Sequence, residues 1–379
     1  MKRVGYFFFS IILFLLSGIE EVQAQSALPS HELIIQDSIS IDYLGDLTLL
    51  SVHPDGNKLL FYSRINNEVI LTDGKGKIIK IFKTPNDSLE SVGTIVSAGT
   101  FFKDKIILMG QVKLGIYDQN LVYQDAIKIK YPSQGIVISG MHHLQPAKVN
   151  NKELILSFSG YPQTHYAPND PRFYNEYNTF DLLDLTSKTL TPIIPLHPKS
   201  RYKNGEAFYF IRPIYQVENN KVWFVFNTDI NFYSADLNSP SSSFKSIKIP
   251  FDKFLLKPGH EMNQKPDYSK NKDMGGIILD YFRMDSKHIL FYKSGLEESK
   301  QPDLFGDREQ AQNQLDRLNP MKWIMVDESG KSMEPKLASN KYNPQLVDSK
   351  GILWAVQNIN ILEEEPDQVT FYKLKLVQK

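Results

Sequence analysis

Six times along the chain a short polar turn ends in lysine and runs straight into a block of apolar and aromatic residues. The lysines are Lys58, Lys105, Lys152, Lys221, Lys287 and Lys350, preceded by Gly56-Asn57, Lys103-Asp104, Asn150-Asn151, Asn219-Asn220, Asp285-Ser286 and Asp348-Ser349. A second landmark follows in the first five units, where an extended run closes on Asp73, Asp118, Asp184, Asp236 or Asp327. Aspartate suits that place because its side chain accepts from backbone amides two residues on, starting a turn where a strand stops. Each unit therefore reads as strand, polar turn, lysine-led strand, connection, strand ending in aspartate, turn, strand. Val, Ile, Phe and Tyr dominate these runs and helical periodicity is scarce, which describes four antiparallel strands. Six copies of one supersecondary unit predict an all-β, six-bladed β-propeller of four-stranded antiparallel blades. A β-sandwich would not demand six copies of one turn.

The sixth unit is one strand short. Its lysine-led strand covers 352–356 and a further strand 369–377, while an extended segment at 32–38 belongs to no unit. Pairing that segment with 369–377 completes the last blade, so the ring is expected to be closed by the N-terminal strand, which removes two open sheet edges. One blade carries a specific turn, His53-Pro54-Asp55-Gly56-Asn57-Lys58-Leu59-Leu60-Phe61. Proline presets the turn, aspartate caps it and glycine accepts positive φ. This stretch is similar to the Pro-Asp-Gly strand-turn motif of TolB-like propellers. Taken with the N-terminus described below, the chain resembles a group of secreted six-bladed propellers of unknown function from Gram-negative bacteria. The resemblance covers 31–379 and implies a fold, and it supplies no catalytic residues.

The chain of 379 residues holds 43 basic and 43 acidic side chains and no cysteine. Zero net charge with no basic stripe excludes the electrostatic footprint of a nucleic-acid binder. Lys2-Arg3, an apolar stretch over 6–16 and Val22-Gln23-Ala24 read as a signal peptide over 1–24, cleaved before Gln25. An apolar stretch of that length is shorter than the roughly 20 residues a spanning helix needs, so no transmembrane anchor is expected after cleavage. Leu16-Ser17-Gly18 resembles the front of a lipoprotein box, but Ile19 stands where the lipid-bearing cysteine must be. The expectation is a monomeric, periplasmic or secreted protein. Its single propeller domain, 25–379, would be held together by burial, without disulfides.

The two landmarks also measure where blades are elaborated. Lysine to aspartate spans 15, 13 and 15 residues in units one, two and four, but 32 from Lys152 to Asp184 and 40 from Lys287 to Asp327. Aspartate to the next lysine spans 32, 34 and 37 residues after the first three units and 51 from Asp236 to Lys287, placing a third insertion near 257–275. Links between second and third strands, and between fourth and next first strands, leave a propeller on the same face. All three insertions are of those kinds, and loops on a rigid scaffold are the usual place for binding residues. The first, 160–178, carries Tyr161, His165, Tyr166, Arg172, Tyr174 and Tyr177 beside Phe173 and three prolines. Such rings either bind a partner or cover the blades beneath. The second holds a candidate helix from Asp307 to Leu318 with one weak apolar stripe.

Arg212 lies in an apolar run, 208–215, read as an inner strand lining the channel, with Asp280 in the matching strand 277–284 as a candidate partner and Arg283 on that same strand. Each is open to two readings, a structural ion pair or contact with an anion or sugar acid. Adjacent His142-His143 point to opposite sides of a strand and cannot chelate together, so neither metal nor cofactor is expected. No Gly-x-Ser-x-Gly elbow and no sialidase aspartate box occurs. Carboxylates such as Asp170, Glu176, Glu261, Asp267 and Asp280 are candidates for glycosidic chemistry if two of them converge. Two functions follow. One is a non-catalytic binding module for a protein, peptide or glycan, and the other a carbohydrate hydrolase or lyase working at the channel mouth.

Overall fold

The computed structural model of the chain describes residues 28–83, 88, 90–110, 113–129, 144–158, 166–209, 211–267, 272–302, 307–364 and 366–379. Six four-stranded antiparallel sheets form a ring. Blade one is Thr48–Val52, Lys58–Ser63, Glu68–Asp73 and Ile78–Lys83, and blade two is Ala98–Phe102, Lys105–Met109, Lys113–Asp118 and Tyr123–Lys128. Blade three is Gln145–Val149, Lys152–Ser157, Asn178–Asp184 and Thr189–Pro195. Blade four is Pro213–Glu218, Lys221–Phe226, Asn231–Asp236 and Lys245–Lys248, and blade five is Ile277–Met284, Lys287–Lys293, Lys322–Val326 and Lys336–Leu337. Blade six takes Tyr342–Val347, Leu353–Gln357 and Val369–Gln378 from the end of the chain and His31–Ile41 from its beginning. The closing pair runs in register from His31 opposite Gln378 to Ile41 opposite Val369.

The two sequence landmarks prove to be neighbours. Lys58 lies directly across from Asp73, Lys105 from Asp118 and Lys221 from Asp236. Five of the six lysines open a second strand; Lys350 stays in its turn and that strand begins at Leu353. The aspartates cap as expected. Asp73 Oδ1 accepts the amides of Lys75 and Lys77, both at 2.9 Å, and Asp118 Oδ1 those of Asn120 and Val122 at 2.8 and 2.9 Å. Asp327 Oδ1 takes Ser329 and Lys331 at 2.9 and 3.0 Å.

Six hydrophobic clusters fill the molecule, one between each pair of neighbouring blades. This explains why the middle strands read as unbroken apolar runs. A blade buries both faces, so alternate residues serve different interfaces: Leu59 and Phe61 pack against blade six, Leu60 and Tyr62 against blade two. Fully burying one such side chain is worth about 1.5–3 kcal/mol, which lets packing alone hold a ring without disulfides.

Polar staples cross the same six boundaries. Lys58 Nζ donates to the Gln119 carbonyl of blade two at 3.0 Å, and Lys103 pairs with Glu153 of blade three at 2.8 Å. The Asn150 amide meets Asn238 Oδ1 of blade four at 2.6 Å, and Arg283 bridges back from blade five to Glu218. Lys336 Nζ reaches the closing strand at Ser30 Oγ and the His31 carbonyl, at 2.7 and 2.8 Å. Lys350 Nζ donates at 2.9 Å to the Asp55 carbonyl in the Pro-Asp-Gly turn of blade one. There Gly56 has φ +75° and Lys350 Nζ lies 2.9 Å from where a Cβ would stand, so a side chain would be strained and would displace the staple.

Candidate functional site

All three expected insertions leave the face opposite the lysine turns, over blades three to five. A further connection, 196–212 between blades three and four, joins them; it is close in length to 129–144 between blades two and three, so the intervals give no sign of it. Its Glu206–Ala207 pairs antiparallel with His260–Glu261 of the connection before blade five, forming a two-stranded ladder. Arg201 donates to the Lys257 carbonyl at 2.5 Å and to that of Thr228 at 2.6 Å. The Asn263 amide reaches the Asn169 carbonyl at 2.9 Å, joining the blade-three insertion to the same assembly. Met274 and Leu296 exchange amide–carbonyl bonds at 2.8 Å, which adds the blade-five insertion. Four connections thus form one cap.

Within it, residues of the blade-three loop divide by burial. A short helix, Pro171–Glu176, is capped at Asp170 and carries Phe173 and Tyr174 inward. Tyr174 and Tyr177 are 4 % and 1 % exposed in the cluster between blades three and four. Tyr174 Oη also accepts the Phe208 amide at 2.6 Å. These two candidate ligand contacts are therefore supports of the cap, since a ring enclosed by side chains presents no face to a partner. Tyr166 and Arg172 differ. The Arg172 guanidinium lies 4.1 Å from the Tyr166 ring centre, pairs with Asp170 at 2.6 Å and leaves 65 % of its side chain exposed. Tyr161 and His165 lie outside the described residues, as do His142 and His143.

The helix Arg308–Leu318 forms where the stripe indicated, with Asp307 accepting the amides of Glu309 and Gln310. Ala311 is buried, Asp316 pairs with Lys293 at 2.9 Å, and Asn319 Oδ1 accepts the Gly295 amide at 3.1 Å. The helix braces blade five.

The inner strand of blade four begins at Pro213, so Arg212 stands just above it and not within it; 206–209 is spent on the ladder and its approach. The Arg212 guanidinium donates to the Leu279 carbonyl at 3.4 Å. Leu279 is a bulge: the register slips between Ile278 and Asp280, and this re-aims the carboxylate. Burial pushes the Asp280 carboxyl up to about 6, and Arg212 opposes that rise. Burial likewise lowers Arg212 from its ordinary value, against the pull of Asp280. Arg283 lies at the other end of the channel. It joins Glu218 and, at 2.8 Å, Glu328, and lies over Trp223 with 11 % of its side chain exposed. That is a structural ion pair between blades four and five.

At that end, on the face of the lysine turns, the channel widens into a cavity of about 630 Å³ walled by inner-strand residues of all six blades. The sequence offers the channel mouth for the alternative enzyme function, and of its candidate residues Arg283 lies on this wall. The wall is made of short runs from the inner strands, such as 215–218 and 281–286, together with members of the lysine turns, Asp285-Ser286 and Asp348-Ser349. Among the described residues no group of three His, Asp or Glu side chains could hold a metal ion, and no helix is long and apolar enough to cross a membrane.

No protein-family model matches the sequence, and no curated protein sequence does. Among solved structures, the chain is similar to a DUF4221 family member from Bacteroides vulgatus ATCC 8482, at 10% identity and TM-score 0.61, over 94% of this chain and 100% of that one. It is also similar to a protein from Bacteroides fragilis NCTC 9343 that is named as an exported one, at 11% identity and TM-score 0.51, over 95% and 97% of the two chains. Identities this low speak for the fold alone.

Proposed function

We propose that the protein is an exported, non-catalytic binding propeller of TolB-like type that recognises a protein, peptide or glycan through its capped face. The observation that carries this reading is the merging of four connections into one backbone-bonded cap over blades three to five. A surface ordered before contact loses little entropy on binding. The Arg172–Tyr166 stack supplies an exposed guanidinium on a half-buried ring, residue types of the kind that dominate interface energy. Export is supported by the basic, apolar and small-residue order of 1–24 and by the exported protein among the structural neighbours. The His53–Phe61 turn supports the TolB-like assignment.

The test is a double variant, Tyr166→Ala with Arg172→Ala, which leaves the buried rings in place. Removing 160–178 is unsuitable, because it would strip Phe173, Tyr174 and Tyr177 from the core. The double variant should keep the wild-type melting temperature and lose at least about tenfold in affinity for cell-envelope protein and glycan fractions. Undiminished binding refutes the reading.

One observation favours a second reading, a carbohydrate hydrolase or lyase. Asp280 is a carboxyl with a raised pKa beside an arginine in the channel, the combination that tunes a general acid. On this reading Asp280→Asn abolishes turnover of a glycoside panel, whereas on the first it changes nothing in binding.

A further inference from the structure

The channel mouth on the lysine-turn face has the dimensions of a ligand site, since small-molecule pockets run from roughly 300 to 1,000 Å³ and this one holds about 630 Å³. The charges on its wall are already compensated by the protein. Arg283 is held between Glu218 and Glu328. The Asp348 carboxylate accepts the amides of Lys350 and Ile352, at 2.9 and 3.0 Å, and the Trp354 indole N–H at 2.9 Å. Glu218, on one side of Arg283, and Asp285 stand exposed on the rim. An anionic ligand entering would shed water and meet three wall carboxylates, with the one wall guanidinium already paired, which is costly.

What the wall does offer is neutral. Gln216 accepts the Arg283 amide at Oε1, at 2.7 Å, and its Nε2 has no hydrogen-bond acceptor among the described residues. The exposed Ser286 lies on the wall, its hydroxyl without a partner among the described residues. The inner strands turn their backbone edges toward the axis, where wall side chains take some of these groups: Ser51 the Phe101 amide, Gln145 the Val217 amide and the Tyr215 carbonyl. Between these polar groups lie the half-buried side chains of Val52, Val217 and Val347. Alternating hydrogen-bonding groups and apolar patches match the hydroxyls and C–H faces of a sugar.

We propose that this mouth is a binding site for a neutral carbohydrate of one or two rings. It is separate from the capped face and does not depend on the function proposed there. Maltose, cellobiose and N,N′-diacetylchitobiose would be titrated calorimetrically at millimolar concentrations, with lysine and citrate as cationic and anionic controls. At least one sugar should saturate. Gln216→Glu, which keeps the acceptor for Arg283 and removes the Nε2 donor, should weaken it about tenfold. Ser349→Trp, which places a ring at the exposed rim, should do the same, and both variants should melt as the wild type does. Tyr166→Ala/Arg172→Ala should leave sugar binding unchanged, so this site and the capped face fail or succeed separately. The proposal is overturned if none of the three sugars saturates, if both variants bind as the wild type does, or if lysine or citrate binds more tightly.

Discussion

His288 is an ionisable side chain with no room for its charge. It is 1 % exposed, its Nδ1 shares a hydrogen bond with Tyr281 Oη at 2.9 Å, and the rings of Trp223 and Phe232 lie 4.9 and 4.2 Å away. Burial, reinforced by Arg283 and Lys221, pushes its pKa from 6.5 down to about 3. The unfolded state therefore binds a proton that the folded state refuses, so stability is complete above 6.5 and is lost as pH falls toward 3. The melting temperature should drop between pH 6.5 and 4. His288→Phe should flatten that slope at a cost of about 1 kcal/mol at neutral pH for the lost hydrogen bond. An unchanged slope would contradict a buried neutral histidine. Asp280 has the opposite sign. Its carboxyl, raised from 3.8 to about 6, favours folding below pH 3.8 relative to neutral pH, and that contribution is lost as pH rises through 6. Asp280→Asn should stabilise the protein at pH 8 by ~1–2 kcal/mol, reduced by what Arg212 loses, with no gain at pH 3.5. Equal gains at both pH values would refute this.

Among the elements, the closing strand His31–Ile41 is the longest of the described strands and completes the ring. It was legible in sequence as an extended segment without a unit, because blade six was visibly one strand short. Ile41 and Ile39, 0 % and 8 % exposed, enter the cluster with Leu59, Phe61, Trp354 and Phe371. Ile41→Ala should cost about 2–5 kcal/mol by chemical denaturation. A chain starting at 42 should aggregate through the bared edge of Val369–Gln378, and a synthetic 28–41 peptide should restore its solubility. Solubility without the peptide would mean that closure is dispensable. The short ladder between Glu206–Ala207 and His260–Glu261 was not legible. Each partner is two residues long, within connections whose composition predicts loop, and pairing exists only because the blades bring the two connections together.

At the scale of the whole molecule, the backbone crosses every boundary between blades, since the two chain ends meet inside blade six. The Lys379 amide bonds the Ser30 carbonyl at 2.9 Å, so the ends can be joined by a short linker. A permutant joined there and opened between Ser339 and Asn340 keeps all six clusters but leaves the boundary of blades five and six without a covalent crossing. It should fold, and should unfold about tenfold faster in denaturant jumps than the natural chain. Equal rates would show that packing alone governs the barrier.

The six-blade count, the strand-ending aspartates, closure by the N-terminal strand and the face that bears the insertions are all properties of the sequence by itself. They rest on local turn chemistry and on intervals, which need no partner distant in the chain. The fates of Tyr174, Tyr177, Arg212 and Arg283 were decided by tertiary structure alone. Whether a tyrosine supports or contacts, or which end of the channel an arginine reaches, depends on what a neighbouring blade places against it. The mouth cavity is of the same kind: six inner strands each contribute a few residues, and their shared axis exists only once the ring has closed.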